Sequence, residues 1–203
     1  MEQSFKDLTI SQYIDVLKSE QPTVGGGNTS ALLCALSFSL AHMVATLSIN
    51  KASQENLEEL IKTKEVASKS IPIALSFMDK DTQAFALVMA AFKYPKNSDD
   101  EKQYRSEAIQ SATIGASKVP LEVAQLACKA FDTCYSCMQI GLKSAQSDAF
   151  SGCVSAIASC EAALANVEIN ANSIKDLKVK EQLLADLHHI QQTLNNKKAL
   201  INR

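Results

Sequence analysis

Three consecutive glycines, Gly25-Gly26-Gly27, follow Pro22-Thr23-Val24 and lead into an uncharged apolar run that opens with Asn28-Thr29. Half of the chain's six glycines fall in this one loop. Bare backbone lets a ligand approach with no Cβ in the way. The unpaired N–H groups of a helix start, with the helix dipole, suit an anionic or carbonyl-bearing ligand. A flexible connector or a close helix crossing would use the same residues, and no Gly-Lys-Ser/Thr follows to make a Walker loop. The second feature is Asp79-Lys80-Asp81. Asp81 and Phe85 are four apart, and Val88 and Met89 continue the apolar face, so Asp81 lies on or beside a stripe that should be buried. A carboxylate there must be paired or have a raised pKa; a boundary ion pair is the plain alternative to proton transfer.

Lys96, in Tyr94-Pro95-Lys96-Asn97, and Arg105, in Tyr104-Arg105-Ser106, are candidate anion-binding cations, although most exposed cations are only solvated. Asp148, in Gln146-Ser147-Asp148, stands at an expected helix start, where capping is its simplest role. Cys134 and Cys137 form a CxxC inside a helical pattern with no second pair, and His42, His188 and His189 lie far off in sequence. Zinc needs four ligands at compatible spacing, so these thiols read as packing residues and no metal site is expected.

Helices must position these groups. Thr9 and Gln12 have capping-box spacing, Leu8 and Tyr13 the spacing of a hydrophobic staple, and Ile10, Tyr13, Ile14 and Leu17 share a face. That first helix should stop near Pro22. Asn28 is a good cap for a second helix running to about Ile49. Ser53 opens a third, patterned to Tyr94, in which Pro72 predicts a kink or break. Ser98-Asp99-Asp100-Glu101 starts a fourth, expected to bend near Lys118-Val119-Pro120. A fifth runs from Ser147 or Asp148 to about Asn170, and the last from about Lys175 to the end. Loops are obligatory only at 21–27 and 94–97. Every segment has the 3.6-residue period and none alternates with period two, so the fold class is all-α, one domain over 1–203, with antiparallel neighbours.

Scarce glycine and proline fit that reading, and 203 residues suffice for one sizeable core. A net charge of −2 gives no footprint for nucleic acid. Residues 29–50 carry no Asp, Glu, Lys or Arg, long enough to consider a membrane span. Ser37, Ser39, His42, Thr46 and Ser48 within the run, and the lack of basic anchors at its ends, favour a helix buried in a bundle or dimer seam instead. Six cysteines with no secretory signal imply reduced thiols and a cytoplasmic protein.

Taken together and in order, these features resemble the formiminotetrahydrofolate cyclodeaminase and methenyltetrahydrofolate cyclohydrolase family. Its glycine loop is echoed by Glu20-Gln21-Pro22-Thr23-Val24-Gly25-Gly26-Gly27-Asn28, with Val24 at a family proline and Asn28 at a family small residue. Asp81-Thr82-Gln83-Ala84-Phe85, Tyr94-Pro95-Lys96, Arg105, Val119-Pro120-Leu121, Ser147-Asp148 and Asn166-Val167-Glu168-Ile169-Asn170 match its later signatures. The resemblance, over roughly residues 10–177, implies an up-and-down helical bundle with a buried central helix, forming a homodimer. It implies cyclisation of 5-formiminotetrahydrofolate to 5,10-methenyltetrahydrofolate with loss of ammonia. The alternatives are the cyclohydrolase, which adds water to that cation, or a non-catalytic dimeric scaffold. Asp81 and then Asp148 are the expected catalytic carboxylates. Gly25, Gly26, Gly27, Asn28, Lys96, Arg105 and Asn170 are expected to bind substrate. No metal or redox cofactor is implied, the tetrahydrofolate derivative being the substrate itself.

Overall fold

The computed structural model describes residues 4–20 and 24–201. Six α-helices make up the chain there: α1 (Ile10–Leu17), α2 (Gly26–Ile49), α3 (Gln54–Phe92), α4 (Asp99–Ile140), α5 (Gln146–Asn172) and α6 (Leu177–Ile201). No strand occurs among the described residues.

Local capping explains where two helices begin. Thr9 and Gln12 form a reciprocal capping box at α1, and Ser98 and Glu101 form another at α4, each satisfying N–H groups the helix itself cannot. Of the α1 stripe only Tyr13 is buried; Ile10 is 81% exposed. That helix ends at Leu17, ahead of Pro22, which with Gln21 and Thr23 lies outside the described residues.

Neither internal proline breaks its helix. Pro72 leaves the carbonyl of Ser68 without an N–H donor, but both residues are exposed and water can take its place. Pro120 is fully buried, so its orphan, the carbonyl of Ala116, needs a protein donor. Asn170 Nδ2 donates to that carbonyl at 3.2 Å.

Side chains of α2 reach α3, α4 and α5, which places it at the centre of the bundle. Cross-helix bonds fix the directions. Ser159 donates to the Ser30 carbonyl and Ser37 to the Gly152 carbonyl, so α5 runs antiparallel to α2. Cys134 and Cys137 donate to the carbonyls of Ser37 and Ala41, so α4 runs parallel to α2. Helices bonded through one short side chain must lie close, and the buried seams are accordingly built of Ala, Ser, Cys and Gly. At Gly152 a Cβ would stand 2.5 Å from Cys134 Sγ. By length and composition α2 and residues 143–172 could cross a membrane. In this fold Ala31, Cys34, Phe38, Ala41, Val44 and Ala45 of α2 are fully enclosed by protein.

Candidate active site

Unequal helix lengths create the cleft. α2 has 24 residues whereas α3 and α4 have 39 and 42. Beyond the start of α2 the last three turns of α3 and the first turns of α4 therefore continue without a central helix between them. The space left is a cavity of about 520 Å³. Gly25, Gly26 and Gly27 form its floor, with Asp81, Phe85, Val88 and Phe92 of α3, Ile109, Thr113 and Ala116 of α4, and Asn166, Ile169 and Asn170 of α5 around it. The four α3 residues recur at intervals of four, three and four, one face of a helix.

Asp81 sits directly on the glycine floor. A Cβ built on Gly27 would stand 2.2 Å from Asp81 Oδ1, so only glycine lets α3 bring the carboxylate this close. The Asn28 backbone N–H, one of the donors a helix start leaves unpaired, is given to Asp81. Burial pushes the Asp81 carboxyl above its ordinary range, and that N–H pulls it partly back. No ion pair among the described residues involves Asp81, so the boundary-salt-bridge alternative does not describe it.

Asn28 is placed differently from the sequence reading. Gly25, not Asn28, is the N-cap of α2. The Asn28 side chain is fully buried, accepting from Tyr13 Oη at 2.9 Å and donating to the Met78 carbonyl at 2.8 Å. It ties α1, α2 and α3 together immediately behind Asp81, and only its backbone faces the carboxylate. Asp79 faces away, accepting from the Ser4 hydroxyl and the Phe5 N–H to strap the leading segment onto α3.

Arg105 stands at the mouth. Its Nε and Nη2 donate to the Phe92 carbonyl at 3.2 and 3.1 Å, closing the end of α3. Lys96 is exposed on the turn between α3 and α4 and does not line the cavity. Asn170 does line it, while its amide serves the Ala116 carbonyl.

Asp148 is not brought to this cavity. It occupies the first turn of α5, eighteen residues from Asn166, roughly 27 Å away along the axis at 1.5 Å per residue. Within one chain, then, Asp81 lines the cavity and Asp148 does not. Conversely, Asn166, which is not among the expected site residues, lines the floor beside Gly26. Its spacing of four from Asn170 was the available signal, because that spacing puts both amides on one helix face.

No cysteine is among the residues lining the cavity. Burial pushes Cys34 and Cys137 up to about 12, so both are neutral packing groups. A slightly larger groove, about 580 Å³, lies on the other side of α3 and α4, but its walls are chiefly Ala84, Leu87, Ala91, Ala108 and Ala112. Its one charged lining residue is Lys80, and it holds no carboxylate.

The sequence and the fold have counterparts among known proteins. Residues 9–189 match the family model described as formiminotransferase-cyclodeaminase. A methenyltetrahydrofolate cyclohydrolase from Methylorubrum extorquens is 33% identical over 88% of this chain and 86% of its own length. The formimidoyltransferase-cyclodeaminase of Rattus norvegicus is 27% identical over 98% of this chain, which spans only 37% of that protein. The crystal structure of formiminotetrahydrofolate cyclodeaminase from Thermotoga maritima superposes with a TM-score of 0.84, covering 95% of this chain and 92% of that one at 23% identity, a likeness of fold.

Proposed function

This chain belongs to the formiminotransferase-cyclodeaminase family, and from that premise we propose that it closes 5-formiminotetrahydrofolate to 5,10-methenyltetrahydrofolate with release of ammonia. The observation that carries the reading is the Asp81 carboxylate, seated on the bare backbone of Gly27 in a cavity with apolar walls.

In the reaction, N10 attacks the formimino carbon and a tetrahedral carbon forms between N5 and N10. The proton then carried by N10 must reach the departing amine, after which the carbon–nitrogen bond breaks and the methenyl cation is left. In this reading Asp81 takes that proton and passes it on. A carboxyl group raised above its ordinary range does both better near neutrality than an unperturbed one. Ionised, it also faces the developing cation in a site of low dielectric. Phe85 and Phe92 supply flat apolar surface for a ring system, and Asn166 and Asn170 supply amides for its polar edge.

A second reading is favoured by the 33% identical cyclohydrolase, which spans most of its own length here. There a water attacks the methenyl carbon, Asp81 takes its proton, and the carbon–N5 bond then breaks as N5 regains a proton, leaving the formyl group on N10. Appearance of methenyltetrahydrofolate absorbance from 5-formiminotetrahydrofolate, with one ammonia per turnover, is the expected result. Decay of supplied methenyltetrahydrofolate without that forward reaction would replace it by the cyclohydrolase. Neither reaction at micromolar enzyme would sink both.

The proposal includes a homodimer. On the outer side of α2, Leu36, Leu40, Met43 and Leu47 recur at intervals of four, three and four, the spacing of a helix–helix seam. Leu36 is 49% exposed and Leu47 52%, with no charged residue anywhere on α2. Phe150 and Val154 of the neighbouring α5 are also exposed. The double variant Leu36→Glu, Leu47→Glu should sediment as a folded monomer where the parent sediments as a dimer. A monomeric parent at micromolar concentration would refute this.

A further inference from the structure

Lys175, in the connection between α5 and α6, is held at two points. Its backbone N–H donates to Gln110 Oε1 at 2.6 Å, and its Nζ donates to the Ser106 hydroxyl at 2.9 Å. Gln110 also donates to the Ser173 carbonyl at 3.1 Å, so one side-chain amide pairs with the connecting backbone on both sides. A surface lysine normally keeps its rotamer freedom. This one is oriented, and by a neutral hydroxyl. The seven ion pairs of the described residues do not include it, and they do not include Arg105. The neighbouring Asp176 is occupied in capping α6 through the N–H groups of Lys178 and Val179.

These two cations bracket the mouth of the cavity. Ile109 lines it, and Arg105 and Ser106 lie four and three residues before Ile109, the two positions one helical turn outward on the same side of α4. Arg105 leans toward α3 through Phe92, and Ser106 receives Lys175 from the α5 side. Two of the five guanidinium N–H groups and one of the three ammonium N–H groups are used in these bonds, leaving donors on both. From Asp81 to Phe92 is eleven residues of α3, roughly 16 Å of helix. The cavity thus has a polar floor, apolar walls and a cationic rim.

We propose that Lys175 is a substrate-binding residue which, together with Arg105, takes the carboxylates of the ligand's amino-acid tail and so fixes the ligand's direction, ring system down on Asp81 and tail at the rim. This rests on the folate reading above. It makes Lys175, which is bonded to Ser106 on α4, rather than Lys96 on the α3–α4 turn, the partner of Arg105.

Two probes separate the outcomes: 5-formyltetrahydrofolate, which carries the glutamate tail, and 5-formyltetrahydropteroate, which lacks it. Lys175→Met is expected to weaken binding of the first by about tenfold, the worth of one partly exposed charge-assisted hydrogen bond, and to leave the second unchanged. Lys175→Arg should restore most of the loss, and raised salt should shrink the difference between the probes. Equal weakening of both probes, or of neither, overturns the role of Lys175. If the parent binds both equally, the folate reading stands and the rim does not grip the tail. If it binds neither, the folate reading fails and this inference with it.

Discussion

Asp81→Asn is expected to remove turnover, by about 10³-fold or more in kcat/KM, while leaving the bundle folded and more heat-stable than the parent near neutral pH. The rate loss follows from chemistry. An amide can still accept the Asn28 N–H that Asp81 accepts, so the side chain should stay in place. It cannot hold or pass a proton, nor balance a cation, two effects worth about 10²–10⁴-fold and 10²–10³-fold when removed.

The stability gain follows from the direction of the pKa. Burial raises the Asp81 carboxyl above its ordinary value of 3.8. A raised folded-state pKa means that the folded chain binds this proton more tightly than the unfolded chain. The carboxyl's favourable contribution is then complete below the ordinary value and is lost as pH rises through the folded-state value. Above that point the folded protein carries a desolvated charge that Asn does not. Melting curves should therefore separate in favour of Asp81→Asn as pH rises from about 4. Over the same range the acid limb of the parent's kcat/KM profile should lie above the usual carboxylate range, and should vanish in the variant. A variant that loses activity by unfolding would contradict both halves of this expectation. A residue that weakens the fold it sits in and is kept for its chemistry is the pattern of a functional site.

What could be read in the sequence depended on how local each determinant was. Thr9 with Gln12 and Ser98 with Glu101 are decided within one helical turn, and both boxes stand where the spacing put them. Asn28 obeyed the same rule on paper, but Tyr13 and Met78, fifteen and fifty residues away, claim its side chain, and the cap passes to Gly25. At Pro120 the sequence does not show that Asn170, fifty-four residues away from Ala116, will take the carbonyl that proline orphans. Asp81 was legible because a carboxylate on an apolar helical face is anomalous wherever that helix packs. Where Asp148 lies in the bundle was not legible, because nothing local says which end a helix start will occupy. That is set by the relative lengths of α2, α3 and α5, and the same lengths open the cavity.

Gly27→Ala, a change of one methyl group two residues into α2, is expected to cost about 10²-fold in rate, most of it through the displacement of Asp81. The added Cβ would meet Asp81 Oδ1 at 2.2 Å, Cγ at 2.7 Å and Oδ2 at 2.8 Å, and something must move. The helix backbone is the stiffer partner, so the carboxylate swings away from the Asn28 N–H and from its place over the floor. Misplacing a reacting group by about 1 Å costs on the order of 10²-fold. Stability should change far less. Alanine in a helix is favoured over glycine by about 1 kcal/mol, against about 1–3 kcal/mol for overpacking, so the net is at most about 2 kcal/mol of destabilisation and the loss is not one of folding. Two neighbours calibrate the effect. Gly25→Ala meets nothing within 4 Å and should leave Asp81 undisturbed, while at Gly26 the Cβ would stand 3.2 Å from Asn166 Nδ2 and the amide must yield a little. The deciding measurement is the cycle with Asp81→Asn. If Gly27 matters only because it lets the carboxylate approach, the double variant will be no slower than Asp81→Asn alone. Losses that multiply would instead mean that the bare backbone of Gly27 is itself in contact with the reacting ligand, which is the other reason a helix start would be built of glycine.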